Sequence, residues 1–155
     1  ISIVLNRLAE QYSYPIIVST HPRTRKRIES LDSFAFNPLI QFQKPFSYTD
    51  YNFLQMNATC VISDSGTISE ESAILKFPAI TIRNSMERPE AIDAGTIILS
   101  GFEPEIVLDS VKVAVDEGAN YTKICPEYEI ANCSMRVLKL ILGTAKLHKQ
   151  WSGLY

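Results

Sequence analysis

The chain has 155 residues, of which 46% are hydrophobic and 21% are charged. This composition is typical of one globular domain and excludes a disordered, collagenous or coiled-coil chain. The formal net charge of −2 argues against a general nucleic-acid binder. No apolar run approaches the ~20 residues that a membrane span needs.

The cysteine and histidine contents argue against a metal site. The chain has 3 cysteines and 2 histidines, and the cysteines form no Cys-x-x-Cys pair. Zinc sites usually draw ligands from such pairs, so no metal is expected. An odd number of cysteines also favours a reducing compartment, and we expect a cytoplasmic protein that binds neither nucleic acid nor membrane.

The first half of the chain alternates predicted helices with predicted strands. Residues 2–12 place apolar side chains at helical spacing, and the β-branched run at 15–20 predicts a strand. A helix is predicted at 22–31 because it opens on a proline, which suits the first turn of a helix. A strand at 39–43 and a polar-then-apolar helix at 47–57 follow.

The second half of the chain continues this alternation. The predicted elements are strands at 59–63, 79–82 and 96–100, a helix at 67–76, and two amphipathic helices with apolar stripes at 106–115 and 135–145. Short buried strands that alternate with helices predict an α/β fold, with a parallel sheet covered by helices on both faces. Ligands of such sheets bind at the carboxyl ends of the strands, so the residues that follow each strand are the candidates for a site.

The segment 63–72 (SDSGTISEES) leaves a predicted strand, makes a turn of small residues and enters a helix. Ser65, Gly66 and Thr67 leave backbone N–H groups uncovered at the positive end of the helix dipole, a pattern typical of a phosphate site. The alternative is structural, because Thr67 followed by Glu70 is also a helix capping box. The segment alone favours neither interpretation.

The segment 84–95 follows the next predicted strand and contains Glu-Arg-Pro-Glu at 87–90. Arg88 offers a rigid fork of donors that suits a diphosphate. The alternative, which this segment alone favours, is a solvated turn with a surface ion pair.

The basic segment 20–27 follows the first predicted strand. Positive charge in the first turn of a helix opposes the helix dipole, so an anionic ligand, an acidic partner or solvent should compensate for it. We expect residues 25–27 to form a solvated basic face. His21 and Arg23 lie nearest the strand end and have the better functional case.

Aromatic side chains mark the segment 46–57. Tyr48, Tyr51 and Phe53 suit the stacking of a nucleobase. At helical spacing such rings are more often part of the core, and we expect core packing from this segment alone.

In this order and spacing, the segments resemble the non-hydrolysing UDP-N-acetylglucosamine 2-epimerase family. The resemblance runs from about residue 15 to the C-terminus. Its core is the Ser-Asp-Ser-Gly turn with the paired Glu70 and Glu71, then Glu-Arg-Pro-Glu at 87–90, then Ala-Gly-Thr at 94–96.

Two departures from the usual family pattern point to a branch. The family usually has a second glycine and a glutamine where this chain has Thr67 and Ser69. With the upstream run STHPRTRKR, the chain looks more like the branch that forms UDP-N-acetyl-L-fucosamine. The departures bear on the substrate and leave the resemblance to the family intact.

The resemblance implies a Rossmann-like, three-layer parallel sheet in the C-terminal half of a two-domain GT-B architecture. Residues 1–155 would form most of the UDP-binding domain. The N-terminal domain, and a strand expected near the middle of the sheet, would lie upstream of Ile1. Without that strand, two unpaired strand edges would face a gap.

The resemblance also implies a reaction without a metal or cofactor. UDP is eliminated across carbons 1 and 2 of the sugar and adds back after protonation of carbon 2 on the opposite face. No residue of this chain is implied as a catalytic acid or base. The implied roles are diphosphate binding by Ser65, Gly66, Thr67 and Arg88, ribose binding by Glu71, a place beside uracil for Tyr51, a helix cap by Glu70, and cleft positions for His21 and Arg23.

The implied partners are UDP and a UDP-N-acetyl-hexosamine, in a homodimer that serves surface or capsular polysaccharide synthesis. One alternative is the donor-nucleotide domain of a GT-B glycosyltransferase, which would share the UDP site. The other is a non-catalytic module that binds a partner through the basic segment 21–27, which predicts salt-sensitive anion binding without a UDP preference.

Overall fold

Helices and strands alternate along most of the chain in the computed structural model, which describes residues 1–29, 34–118 and 124–153. The strands are β1 (Ile16–Ser19), β2 (Ile40–Gln43), β3 (Val61–Ser63), β4 (Ala79–Thr81) and β5 (Ile98–Leu99). The helices are α1 (Ser2–Tyr12), α2 (Pro22–Glu29), α3 (Tyr48–Met56), α4 (Ile68–Leu75), α5 (Glu90–Asp93), α6 (Pro104–Gly118), α7 (Cys133–Thr144) and α8 (His148–Trp151).

Each predicted element is present, with differences at the ends. The end of the helix predicted at 22–31 lies outside the described residues. Two short helices, α5 and α8, were not predicted. Helix α5 lies in the segment that was expected to be a turn, and its four residues are too few for an apolar periodicity to appear.

All strand pairs are parallel, which confirms the predicted α/β class. In β1 and β2, Ile16 lies opposite Ile40, and β4 lies between β3 and β5. The strands form a two-stranded and a three-stranded sheet instead of one continuous sheet. A gap between β1 and β3 would produce this arrangement, and a strand that fills it stays a prediction.

The core lies where α1 and α6 pack over β4. Val4, Ile80 and Val107 are at most 1% exposed and belong to one cluster of buried apolar side chains. Burial of each such side chain stabilises the fold by about 1.5–3 kcal/mol. At the rim of this cluster, Arg7 of α1 pairs with Glu105 of α6. The hydrogen bond from Arg7 is the main reason why the pKa of Glu105 is lowered.

The chain divides into two compact units, Ile1–Cys125 and Pro126–Tyr155. The first unit contains both sheets and every candidate site residue. The second contains α7, which forms at the predicted place. Its predicted apolar stripe is solvent-exposed, with Leu138 at 45% and Leu142 at 74%.

Candidate functional site

The candidate phosphate turn, residues 64–67, joins the end of β3 to the start of α4. Strand β4 runs parallel to β3 and ends at Thr81, so the residues that follow β4 lie at the same edge of the sheet. Two arginines of that segment, Arg83 and Arg88, extend to the turn. The candidate segments 63–72 and 84–95 therefore meet in one candidate site.

Hydroxyl groups already occupy two of the backbone donors in this turn. The Ser65 N–H donates to Ser63 Oγ at 3.0 Å, and the Thr67 N–H donates to Ser65 Oγ at 3.3 Å. The prediction of uncovered N–H groups is therefore wrong for Ser65 and Thr67. The Gly66 N–H has no protein acceptor within the described ranges.

Arg88 joins the turn to helix α4. Its guanidinium donates from Nη1 to the Gly66 carbonyl oxygen at 3.0 Å, and its Nε pairs with Glu70 Oε1. The predicted cap by Glu70 is wrong, because Thr67 is the N-cap without a side-chain cap bond and the Glu70 carboxylate faces Arg88 instead. The Arg88 side chain is 41% exposed, so solvent and ligands still reach part of it.

Gly66 allows two guanidinium groups to approach the backbone closely. A Cβ at this position would lie 3.2 Å from Nη1 of Arg88 and 3.6 Å from Nη1 of Arg83. The sequence reasoning missed Arg83, although its place directly after the strand predicted at 79–82 was an available signal. The site thus carries two cationic groups where one was expected.

The surface ion pair expected in this segment forms between Arg83 and Glu87. Arg83 donates two hydrogen bonds to the Glu87 carboxylate, at 3.0 and 2.8 Å. These bonds, together with the charge of Arg83, lower the pKa of Glu87. The Glu87 carboxylate therefore pairs with Arg83. The ion pair of Arg88 is with Glu70 on α4.

Both oxygens of the Glu71 carboxylate accept hydrogen bonds. Gln55 Nε2 of α3 donates to Oε2 at 2.8 Å, and the Thr67 hydroxyl donates to Oε1 at 2.7 Å. The Thr67 hydroxyl, expected to be available to a diphosphate, is thus bonded to Glu71. The sequence reasoning also missed Gln55, although it lies one helical turn after Tyr51 and therefore on the same face of α3.

Tyr51 is half-buried beside Glu71. Burial raises the pKa of the Tyr51 phenol, and the negative charges of Glu71 and Asp64 raise it further, whereas a hydrogen bond with Ser63 opposes the shift. The phenol is therefore neutral at physiological pH. The expectation of core packing is wrong for Tyr48 and Phe53, which are 82% and 68% exposed.

The basic segment after β1 is arranged differently. The Arg23 N–H donates to His21 Nδ1 at 3.2 Å, so the histidine ring caps the start of α2. Both side chains are exposed, and within the described residues no hydrogen bond or ion pair joins them to the 64–67 turn. Arg25 was expected to be solvated, but it donates to the Phe42 carbonyl oxygen at 3.1 Å.

The described ranges contain no group of three or more His, Cys, Asp or Glu side chains that could hold a metal ion. Burial raises the pKa of the Cys60 thiol to about 12, so this group is protonated at neutral pH. Across the same residues, no helix has the length and apolar character that crossing a membrane requires.

The chain is similar to proteins of one known family. The profile of a family described as UDP-N-acetylglucosamine 2-epimerase matches residues 1–142. The UDP-N-acetylglucosamine 2-epimerase of Methanocaldococcus jannaschii is 36% identical over 117 residues, which are 74% of this chain and 32% of that protein. The structure of UDP-N-acetylglucosamine 2-epimerase from Rickettsia bellii superposes with a TM-score of 0.79 at 43% identity, over 96% of this chain and 41% of that chain.

A second solved structure was determined with ligands. The Methanocaldococcus jannaschii enzyme in complex with UDP-GlcNAc and UDP superposes with a TM-score of 0.72 at 31% identity, over 90% of this chain and 39% of that one. These neighbours confirm the predicted Rossmann-like fold of the GT-B type. The chain spans 32%, 41% and 39% of the length of these three matched proteins, in the order given. Since the family profile matches all but the last residues, the chain belongs to the UDP-N-acetylglucosamine 2-epimerase family.

Proposed function

We propose that the chain is the UDP-binding, C-terminal domain of a UDP-N-acetyl-hexosamine 2-epimerase. The observation that carries the proposal is the convergence of Arg88, Gly66 and Glu71 on one turn at the carboxyl end of β3. Cationic and backbone donors lie at one end of this turn and a carboxylate acceptor at the other. A nucleoside diphosphate has the complementary order of groups, with an anionic diphosphate next to a ribose diol.

In this proposal the diphosphate lies against the N-terminus of α4. The Gly66 N–H and the partly exposed Arg88 guanidinium donate to its oxygens, with Ser65 and Thr67 beside them. The Thr67 N–H bond to Ser65 is long, at 3.3 Å, so a phosphate oxygen can compete for that donor. A helix N-terminus also favours an anion through its dipole.

The nucleoside then extends towards α3. The Glu71 carboxylate accepts hydrogen bonds from the ribose diol, since each of its oxygens retains a free lone pair. Tyr51, half-buried and neutral, lies beside the uracil. His21 and Arg23 are proposed to face the cleft without a direct contact to UDP.

The reaction proposed for the whole protein inverts carbon 2 of the sugar. A base removes the carbon 2 proton while the bond from carbon 1 to the diphosphate oxygen breaks, and re-addition of UDP follows protonation of carbon 2 on the opposite face. Charge accumulates on the departing diphosphate, so the preorganised donors of the turn stabilise that transition state. We assign no acid or base at carbon 2 to this chain, and we expect the chain alone to be inactive.

The finer parts of the proposal concern the substrate and its setting. Thr67 and Ser69 support the branch that forms UDP-N-acetyl-L-fucosamine. We further propose a cytoplasmic homodimer that supplies precursors for surface or capsular polysaccharide.

The test uses the full product of the gene with UDP-N-acetyl-hexosamines in deuterated water. The proposal predicts deuterium at carbon 2 and some release of free UDP. Transfer of labelled sugar to an acceptor without exchange at carbon 2 would favour a glycosyltransferase and contradict the epimerase.

A further inference from the structure

Gln55 is an uncommon residue for a buried position on a helix. It is only 2% exposed, and its Nε2 donates to Glu71 Oε2 at 2.8 Å. Its Oε1 is also buried and has no hydrogen-bond partner in the described part of the chain. Because an unsatisfied buried acceptor costs about 1–3 kcal/mol, it offsets the gain in stability from the bond to Glu71. The contribution of Gln55 to folding therefore does not explain its presence.

The opposite oxygen of Glu71 is held by a chain of hydroxyl groups. The Thr67 hydroxyl has one proton, which it donates to Glu71 Oε1 at 2.7 Å. The Ser65 hydroxyl lies 3.0 Å from Thr67 Oγ1 and must therefore be the donor in that pair. The direction of each hydrogen bond in this chain is thus fixed by the carboxylate.

Two donors on opposite oxygens fix the orientation of the Glu71 carboxylate. One lone pair on each oxygen is used, and one on each is left. An oriented carboxylate of this kind suits two hydroxyl donors on adjacent carbons, whereas a 2′-deoxyribose supplies only one of them. Loss of either positioning bond would let the carboxylate rotate and weaken its preference for the diol.

We propose that Gln55 and Thr67 are positioning residues that orient Glu71 to select a nucleotide with an intact ribose 2′,3′-diol over its 2′-deoxy counterpart. This inference rests on the proposed function, in which Glu71 binds the ribose. It adds a specificity determinant on α3 that neither the motif nor the family resemblance contains.

The experiment compares calorimetric titrations with UDP and 2′-deoxy-UDP for the 155-residue chain and its Gln55→Met variant. Methionine keeps the size of the side chain and removes both polar atoms. For the unsubstituted chain we expect a preference for UDP of about tenfold or more, typical of a hydrogen bond to a charged group. In Gln55→Met the preference should fall to about twofold, while the melting temperature stays the same or rises.

Two further variants make the result decisive. Thr67→Val removes the second positioning bond at an exposed site and should lower the same preference, even if Gln55→Met fails to fold. The exposed Gln41→Met is the matched control and should leave both affinities unchanged.

The outcomes separate this inference from the proposed function. An unchanged preference in folded Gln55→Met and Thr67→Val, or no preference in the unsubstituted chain, would overturn the positioning role and leave UDP binding intact. Absence of UDP binding by the unsubstituted, folded chain would overturn the proposed function and this inference together. Loss of preference with a matching loss in Gln41→Met would also contradict a specific role.

Discussion

Two connections in the first unit occupy the same kind of place and are held in different ways. The 64–67 turn follows β3, and the segment 20–21 follows β1; both lead from a parallel strand into a helix. The first is held by a distant side chain, since Arg88 donates to Gly66 across 22 positions of the chain, and Gln55 donates to Glu71 of the following helix across 16 positions. In the second, the His21 ring accepts a local bond from the Arg23 N–H, and the distant contact is made by the backbone alone, from the Thr20 N–H to the Gln43 carbonyl oxygen at 3.0 Å.

This difference matters more than the number of charges. The segment after β1 is the more basic of the two, yet its two candidate site residues, His21 and Arg23, have exposed side chains. The turn after β3 has fewer charged groups nearby, but hydrogen bonds and ion pairs hold them in place. Preorganised donors bind a specific anion more strongly than mobile ones, because less side-chain entropy is lost on binding.

The largest expected effect is that of Glu71→Ala on nucleotide binding. If Glu71 binds the ribose, the change should cost about 1.5–3 kcal/mol of binding free energy for UDP, typical of a hydrogen bond to a charged group. Inorganic pyrophosphate, which has no ribose, should bind as before. Calorimetry with both ligands measures the difference. An equal loss of affinity for pyrophosphate would mean that Glu71 does not act through the ribose.

A smaller effect is expected from Gly66→Ala. The new Cβ would lie 3.2 Å from Arg88 Nη1 and displace the guanidinium, so UDP binding should weaken by about 0.5–1.5 kcal/mol, the contribution of one hydrogen bond. Gly143→Ala is the control, because a Cβ there would meet no described atom within 4 Å apart from its chain neighbours and the backbone of its own helix. It should leave UDP binding unchanged and stabilise α7 by about 1 kcal/mol. Equal UDP affinities for the two variants would contradict the close approach of Arg88.

The smallest effect concerns pH. The hydrogen bond from Arg83 lowers the pKa of Glu87 below its ordinary 4.5, so this pair stabilises the folded state above that value and loses its effect as the pH falls through the lowered pKa. Near neutral pH, the melting temperature of Glu87→Gln should therefore be slightly lower than that of the unsubstituted chain. In acid this difference in melting temperature should vanish. Melting curves across the pH range test this; a difference that persists in strong acid would mean that the carboxylate charge is not its source.

The elements of the fold could be predicted because they follow from local patterns. Apolar periodicity indicated the helices, and short β-branched runs indicated the strands. The contact between Arg88 and Gly66 joins two segments that were chosen because small residues and a cation after neighbouring strands indicate an anion site, and that these residues bind an anion stays a prediction. The parallel pairing of β3 and β4 then followed from the alternation of strands with helices.

The bonding partners within the site could not be predicted in the same way. Glu70 fits a capping box by its spacing, but the nearby Arg88 outcompetes the backbone N–H for its carboxylate. Local spacing does not reveal that competition, because Arg88 is brought there by the sheet. Gln55 was missed for a related reason: its bond to Glu71 joins α3 to α4 across 16 positions of the chain, which local spacing does not reveal. Tyr48 and Phe53 were assigned to the core by aromatic character, whereas the buried face of α3 includes Gln55.

We expect the turn after β3, and not the basic segment after β1, to bind the diphosphate. The most direct measurement is calorimetric titration of UDP and UMP into the chain and its variants Arg88→Ala and Arg23→Ala. We predict that UDP binds more tightly than UMP, that Arg88→Ala removes about 1.5–3 kcal/mol of UDP binding free energy, and that Arg23→Ala removes little. Equal losses in the two variants, or a loss confined to Arg23→Ala, would contradict it.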